Sequence, residues 1–429
     1  MPTLFPTRAF RRTKERASGL LLALGVDDLS SSLVTGQTLS LARASGRTVF
    51  DSTGRLCTLA HSQLGWSSVY NTTGAVWEPV LMSDRAATNL CLQSENFGTT
   101  WVAIGTPTRT AAAASCGDLA LDLIGDDAAG TLEGYSQVIT FTTNATKAVS
   151  LFIKQGTSTS SVIRVRDTTA SANRLLATVT WASGVPSVAM TTGTNLGAVP
   201  CANGVYRLLF QTSSVTVANT NQIEVYPATT SALAVANTGT LYVGGVQAQN
   251  WAWPQAYIKT TTTTATTVSD QFTTTFAAAP QDFTAYVRFP ATPFLAGLSG
   301  IGGGLFSLGS IPSGASFYAV ITASGLGANI TDGTTSVGAT GTLTASQWYD
   351  AAMQFNNVTT AARVRVDVGA GFGAYSSASG PITTWGSSTL RIGNVEDSGG
   401  PNYNLDGGIR KLIIAPGART LAEMRGLNV

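Results

Sequence analysis

The sequence predicts an all-β chain: two antiparallel β-sandwiches in tandem, preceded by a small N-terminal docking region. Three observations predict it. Runs of four to eight residues alternate polar and apolar side chains, the period of a half-buried strand. Clusters of Gly, Ser, Thr and Asn separate these runs, with 45 glycines in the chain, as tight turns require. Only one stretch, close to the C-terminus, reads as a helix. The 429 residues fit two or three domains and the 44% apolar content supplies their cores.

Residues 1–87 differ from the rest of the chain. Arg8, Arg11, Arg12, Lys14 and Arg16 precede an apolar patch at 19–26 in the manner of a secretory signal, yet Asp27 and Asp28 come at once without a small-x-small cleavage site. The basic start therefore reads as an anchor in a larger assembly rather than a leader. Pro2 and Pro6 disfavour helix at the start. The segment 48–56 holds a turn signal, Asp51 to Gly54, between two short apolar runs and predicts a β-hairpin. The region is too poor in apolar residues for a core of its own and is expected to rest on neighbours.

From Asn89 regular strands begin, at 138–141, 148–153, 162–166, 206–210 and 241–248, closing with Trp251, Trp253 and Tyr257. In 162–166, Arg164 and Arg166 alternate with apolar residues, which predicts one wet face and one packed face. The threonine run 260–264 with Ala265, Thr266 and Thr267 marks a boundary, as a linker, an edge strand or an inter-subunit strand, since β-branched Thr favours extended chain. A second strand set occupies 283–289, 305–308, 316–321, 348–355, 363–368 and 390–393. Thr420 and Glu423 match the capping box of a short helix over 420–425. The three regions are thus 1–87, 88–260 and 268–429.

Composition excludes several chemistries. Lys+Arg 25 against Asp+Glu 23 lacks the basic excess of nucleic-acid binders. His61 is the only histidine, so zinc sites with two His ligands are ruled out and Ser/His/Asp catalysis would have to run through this one side chain. The seven glutamates include no close pair of the glycosidase kind. The Gly-rich loops at 297–304 and 369–373 lack phosphate-cradling spacing. Cys57, Cys91, Cys116 and Cys201 show no CxxC spacing, leaving buried free thiols or an isolated disulfide. No run approaches the length needed to span a bilayer, so no membrane insertion is expected. Nor is an enzyme.

The stretch Ala87-Thr88-Asn89-Leu90-Cys91-Leu92-Gln93-Ser94-Glu95-Asn96-Phe97, followed by Trp101, resembles a segment of phage structural proteins that opens a carbohydrate-binding-module-like jelly roll. The likeness continues through 148–154 and 244–248 to Ala256-Tyr257-Ile258-Lys259-Thr260, where such modules close. The C-terminal region is similar to a concanavalin-A/laminin-G-type sandwich, through Trp348-Tyr349, Trp385 leading into 390–393, the segment 405–414 and the closing 421–424. The clustered Glu-x-Asp-x-x-Glu motif of that family's glycosidases is missing, which favours binding or scaffolding over hydrolysis.

The resemblances imply a virion protein, a tail or head fibre, spike or decoration subunit. Residues 1–87 would dock it to other virion proteins, and the sandwiches would adhere to host surface polysaccharide. The alternatives are a cement protein without ligand and a secreted glycan-processing enzyme. Aromatic faces that stack on sugar rings are offered by Trp251, Trp253 and Tyr257, and near Gly/Ser loops by Trp181, Tyr375 and Trp385, with packing as the competing reading for each. Asn394, Glu396, Asp397 and Asp406 carry oxygen donors of the kind that bind calcium, although without EF-hand spacing, and solvated loop residues are the plainer reading. No other cofactor is implied. Five Lys against twenty Arg suits packing between copies, and predicts a homo-oligomer, a trimer or, at a capsid vertex, a pentamer.

Overall fold

The computed structural model describes residues 22–25, 40–42, 45–60, 66–72, 74–235, 237–276, 280–290, 301–308, 316–322, 325–331, 336–343, 348–358, 361–369, 371–372, 374–377, 389–395, 403–405 and 407–426. The described chain is β throughout except for a 3-10 turn at Ala202–Gly204 and the helix Leu421–Gly426. It divides into two units. One comprises 45–60 and 86–268; the other comprises 1–44, 61–85 and 269–429.

The first unit is a sandwich of two six-stranded antiparallel sheets. One sheet runs Thr194–Pro200, Tyr206–Gln211, Ala148–Gln155, Gly239–Gln249, Leu119–Asp126, Thr108–Cys116; the other runs Val185–Thr192, Ala172–Ala182, Ser160–Asp167, Asn221–Tyr226, Gly134–Ile139, Val102–Ile104. Alternation fixes what lies between them. Val149, Leu151 and Ile153 from one sheet meet Ile163, Val165, Leu175, Ala177, Ile223 and Val225 from the other, all essentially without solvent contact. The opposite face of Ala148–Gln155 presents Phe152, which packs with Leu56, Leu119, Leu121, Val205 and Tyr257. That second layer is covered by the predicted hairpin, formed by Arg47–Phe50 and Leu56–Leu59. Its turn is held by Asp51 Oδ1, which accepts from the Thr53 and Arg55 amides at 2.8 and 3.0 Å.

The hairpin meets the sandwich where Leu56 bridges Gly117. Gly117 has φ +67°, and a Cβ there would lie 2.1 Å from the Leu56 carbonyl oxygen. Gly184, at φ +83°, has open space around the same position. Gly117→Ala is therefore expected to cost about 3 kcal/mol and Gly184→Ala about 1 kcal/mol, a difference that thermal unfolding of the two variants measures.

The segments 87–97 and 256–260 explain each other structurally. Asn89 is fully buried; its Nδ2 donates to the carbonyls of Val246 (3.1 Å) and Ile258 (2.8 Å), while its Oδ1 accepts from the amides of Cys91 (3.0 Å) and Ala248 (3.2 Å). Ser94 Oγ meets the Tyr257 hydroxyl at 2.7 Å, and Glu95 takes Tyr257 on one oxygen (2.9 Å) and Lys259 on the other (2.7 Å). Thr260 Oγ1 donates to the Cys91 carbonyl at 2.6 Å. Phe97 stacks on Trp101 with centroids 4.3 Å apart. The opening and closing segments of the module form one clasp. The threonine run belongs to it: Thr260 is buried, and Ala265–Thr267 pairs with Ala87–Asn89 as a two-stranded sheet. The run 260–264 itself is not a strand; the strand is the Ala265–Thr267 that follows it.

The second unit joins a six-stranded sheet, Leu22–Gly25, Lys411–Pro416, Asp282–Pro290, Trp348–Val358, Ala361–Asp367, Ser376–Ser377, with a seven-stranded one, Ser40–Ala42, Gln271–Thr275, Thr389–Ile392, Ile301–Leu308, Ser316–Thr322, Gly325–Thr331, Ser336–Gly341. A further sheet pairs Gly407–Ile409, Val76–Ser83 and Trp66–Asn71. The core centres on Phe283, Phe306, Phe317 and Phe355, with Phe283 stacked on Phe355 at 4.9 Å and Phe317 edge-on to both. Trp66 and Leu81 belong to the same core.

The described parts of 1–87 do not stand as a region apart. The strands 22–25, 40–42 and 66–83 complete the sheets of the second unit, and 45–60 covers the first. The sandwiches are accordingly not simple tandem beads at 88–260 and 268–429: the chain begins one, builds the other, and returns to finish the first. The return is closed by backbone pairing, with the Asp270 amide donating to the Asp84 carbonyl at 3.0 Å and the Asp84 amide donating to Asp270 Oδ2 at 3.1 Å. The helix Leu421–Gly426 carries the predicted capping box: Glu423 Oε2 accepts from the Thr420 amide (2.6 Å), and Thr420 Oγ1 from the Glu423 amide (3.2 Å).

Candidate functional site

The aromatic residues expected to bind sugar are dispersed. Trp251 lies beside Ala148, whose amide donates to the Trp251 carbonyl at 2.6 Å; its ring is 45% exposed and its Nε1 donates to the Ala86 carbonyl at 3.2 Å. Trp253, two residues on, is half-buried. Trp181 is at the other end of the sandwich, past the last residue of Ala148–Gln155; nearby, the Gly184 amide donates to Gln155 Oε1 at 2.9 Å. Seven steps of strand separate these ends, about 23 Å, so Trp181 and Trp251 share no platform. Trp181 packs on the core.

Tyr257 is a correction. It is 2% exposed, its ring stands edge-on to Phe152 at 5.6 Å, and its hydroxyl is taken by Ser94 and Glu95. Burial, and then the Glu95 carboxylate, push its hydroxyl well above the usual tyrosine range. A ring enclosed in this way has no face for a ligand; the signal that places it in the clasp is its position in the motif, not its type.

Arg164 corrects the expectation of a wet face. It is 8% exposed, its Nε donates to Glu224 Oε2, and its Nη2 donates to the Tyr226 hydroxyl at 2.9 Å, which in turn donates to Glu224 at 2.8 Å. Val162, Leu176 and Leu233 surround this closed triangle. An alternating arginine is packed inside because a cross-strand partner, Glu224 directly opposite Arg164, neutralises it. Glu224→Ala strands the guanidinium and is expected to cost about 4 kcal/mol, while Glu224→Gln, keeping an acceptor, costs less; urea midpoints separate the two.

In the second unit Tyr375 is clamped, its hydroxyl donating to Gln354 Oε1 at 2.7 Å and its ring covered by the Arg365 guanidinium at 4.2 Å. Arg365 Nε donates to the same Gln354 oxygen at 2.6 Å. Trp385, Glu396, Asp397 and Asp406 lie outside the described residues, as does the side chain of Asn394. Among the described residues no cluster of three or more His, Cys, Asp or Glu side chains is placed to hold a metal ion. No helix among them is long and apolar enough to cross a membrane.

One grouping of aromatic and charged side chains among the described residues is announced by no sequence motif. In Asp282–Pro290, Phe283, Ala285, Val287 and Phe289 enter the core, so Thr284, Tyr286 and Arg288 face the other way. Register then sets a cross-strand row, Lys411–Arg288–Asp350. Trp348 stands at the end of this face with two guanidinium groups over its ring, Arg288 at 5.5 Å and Arg410 at 5.4 Å. Arg410 also pairs with Glu78. Tyr286 donates to Asp350, whose other oxygen meets Arg425 at 3.4 Å, and Lys411 lies over the Tyr286 ring at 5.9 Å. Leu421 and Met424 of the C-terminal helix seal the middle of the face against Tyr286, Ala352, Ile413 and Ala415. Among the described residues, the edge holds a half-buried indole under Arg288 and Arg410, with Glu78 on Arg410, and beyond it Lys411, Asp350 and Arg425 around Tyr286. In the sequence Trp348 reads only as a fold signature, and Arg288 and Arg410 are far apart; strand register alone makes them neighbours.

No family model matches the chain, and no curated protein matches it. Among solved structures it is similar to the mouse laminin alpha1 chain, domains LG4-5, at 12% identity over 65% of this chain and 84% of that one, with a TM-score of 0.23. The all-β class rests on the strands and their pairing.

Proposed function

We propose that the chain is a phage virion structural protein of the fibre or spike type, which displays its two β-sandwich units for adhesion to acidic saccharides on the host surface. The observation that carries the adhesion reading is the Trp348 edge. The exposed part of the half-buried indole gives an apolar contact for a pyranose, and the Arg288 and Arg410 guanidinium groups over its ring suit the carboxylate of a uronic or sialic acid. Support for the virion reading is the phage-protein likeness of 87–97 and 256–260, whose residues act together in the clasp. Mechanism is multivalent: weak sites repeated in a homo-oligomer, trimeric or pentameric, and on one particle gain avidity without any strong single site. No chemical step is part of it.

The test is a glycan array probed with the full chain and with Trp348→Ala, at low and high salt. Binding confined to glycans bearing carboxylate or sulfate, weakened at high salt and reduced at least tenfold in Trp348→Ala, is expected. Binding that survives Trp348→Ala displaces the site, and no binding to any glycan leaves a cement role as the better account. Immunogold labelling of purified virions with antibody against the full chain tests location: label on projecting spikes or a tail tip is expected, and unlabelled particles overturn the virion reading.

A further inference from the structure

Two of the four cysteines, distant in sequence, come together in the first unit. Cys116 ends the strand Thr108–Cys116, and Cys201 directly follows Thr194–Pro200. These strands are the two opposite edges of one six-stranded sheet. At this end the edges come together: the Asn203 side chain donates to the Ser115 carbonyl at 3.1 Å, and one carbonyl, that of Gly54, accepts from both Cys116 Sγ (3.5 Å) and the Ala202 amide (3.0 Å). Cys116 belongs to the apolar layer around Phe152, and Cys201, whose Sγ donates to the Val199 carbonyl at 3.4 Å, packs against that same layer. Cys57, on the covering hairpin, donates instead to its neighbour Arg55's carbonyl at 3.8 Å, and Cys91 is buried elsewhere, in the main core.

We propose that Cys116 and Cys201 are a modification site, a dithiol that closes to a disulfide when the protein meets a peroxide, tying the two edges of the sheet together. The reaction balances with hydrogen peroxide as oxidant. One sulfur takes an oxygen as the O–O bond breaks, giving a sulfenic acid and water. The second sulfur displaces that hydroxyl as a second water, so two thiols lose two electrons and two protons and one S–S bond forms. Cys201 is half-buried and gives the oxidant its approach, while Cys116 is enclosed. Sheet edges are where strands fray and where foreign strands add. A link across both edges, closing the long loop from 116 to 201, restrains the unfolded chain most where the native sheet is weakest.

The experiment uses the full chain purified with its thiols reduced, treated with hydrogen peroxide, then alkylated and mapped by mass spectrometry without reduction. The expected product is a cross-linked peptide joining Cys116 and Cys201, lighter by two hydrogens, with an unfolding midpoint raised by about 10 °C and restored by dithiothreitol. Cys57→Ser keeps the cross-link, and Cys201→Ala, a small apolar exchange, abolishes it without lowering the midpoint of the reduced protein by more than a few degrees. A Cys57–Cys116 link, sulfinic acid at either cysteine without cross-linking, or four alkylatable thiols in peroxide-treated folded protein each overturns the proposal.

Discussion

Asn89→Leu is expected to remove about 4 kcal/mol from the first unit and lower its unfolding midpoint by about 8–16 °C. Four backbone groups lose their partner at once: the carbonyls of Val246 and Ile258 and the amides of Cys91 and Ala248. All four surround a side chain with no solvent contact, so water does not replace what is lost. Leucine fills the volume, which separates polar loss from cavity formation. Asn89→Asp is the sharper variant. It keeps the two acceptor positions but turns two donors into lone pairs facing the Val246 and Ile258 carbonyls, and is expected to be at least as damaging. Thr88→Ala, which removes an exposed hydroxyl contact with Thr266, is expected to stay within about 0.5 kcal/mol of the parent. Calorimetry of the full chain reads all three. Equal effects at Asn89 and Thr88 would mean that the clasp does not hold the unit together.

What is legible in the sequence depends on the range of the interaction concerned. Strand periodicity is local, and the expected strands at 148–153, 162–166, 206–210 and 283–289 fall within a residue or two of their observed limits. The hairpin at 47–59 and the capping box at Thr420 and Glu423 are local too, written in residues four or fewer apart. Burial of Arg164 is not legible, because its partner Glu224 lies sixty positions away and only register places it opposite. The same holds for the Trp348 edge, assembled from 78, 288, 348, 350, 410, 411 and 425. Tyr257 fails in the other direction: an aromatic near a domain boundary looks like a platform, but a buried glutamate and serine from the opposite end of the module claim its hydroxyl. The distribution of 22–85 over both units is illegible for a related reason. Its strands are short: 22–25, 40–42 and 76–83 are stabilised by partners more than two hundred residues later in the chain, 66–71 pairs with 76–83, and the hairpin rests on the second apolar layer around Phe152.

That distribution sets the other large effect. A fragment of residues 268–429 is expected not to fold. It lacks Ser40–Ala42, which pairs with Gln271–Thr275, lacks Val76–Ser83, which pairs with Gly407–Ile409, and lacks Trp66 and Leu81 from its core. Two large core side chains alone are worth several kcal/mol, comparable to the whole stability of a domain. By contrast, a chain in which 86–268 is replaced by a short Gly/Ser loop is expected to keep the second unit folded. Asp84 and Asp270 already exchange two hydrogen bonds, so the ends to be joined are adjacent, and a loop of a few residues closes such a gap at small entropic cost. The hairpin 45–60 loses the surface it covers in that variant and is best removed with it, again across a short loop. Circular dichroism and amide-proton dispersion distinguish the outcomes. A folded 268–429 fragment, or an unfolded loop-replaced chain, would show that the unit does not depend on its early strands, and the division of labour drawn from the register would be wrong. If both results come out as expected, the first unit is an insertion in the second, which is how a module can be gained by a chain without disturbing the unit that receives it.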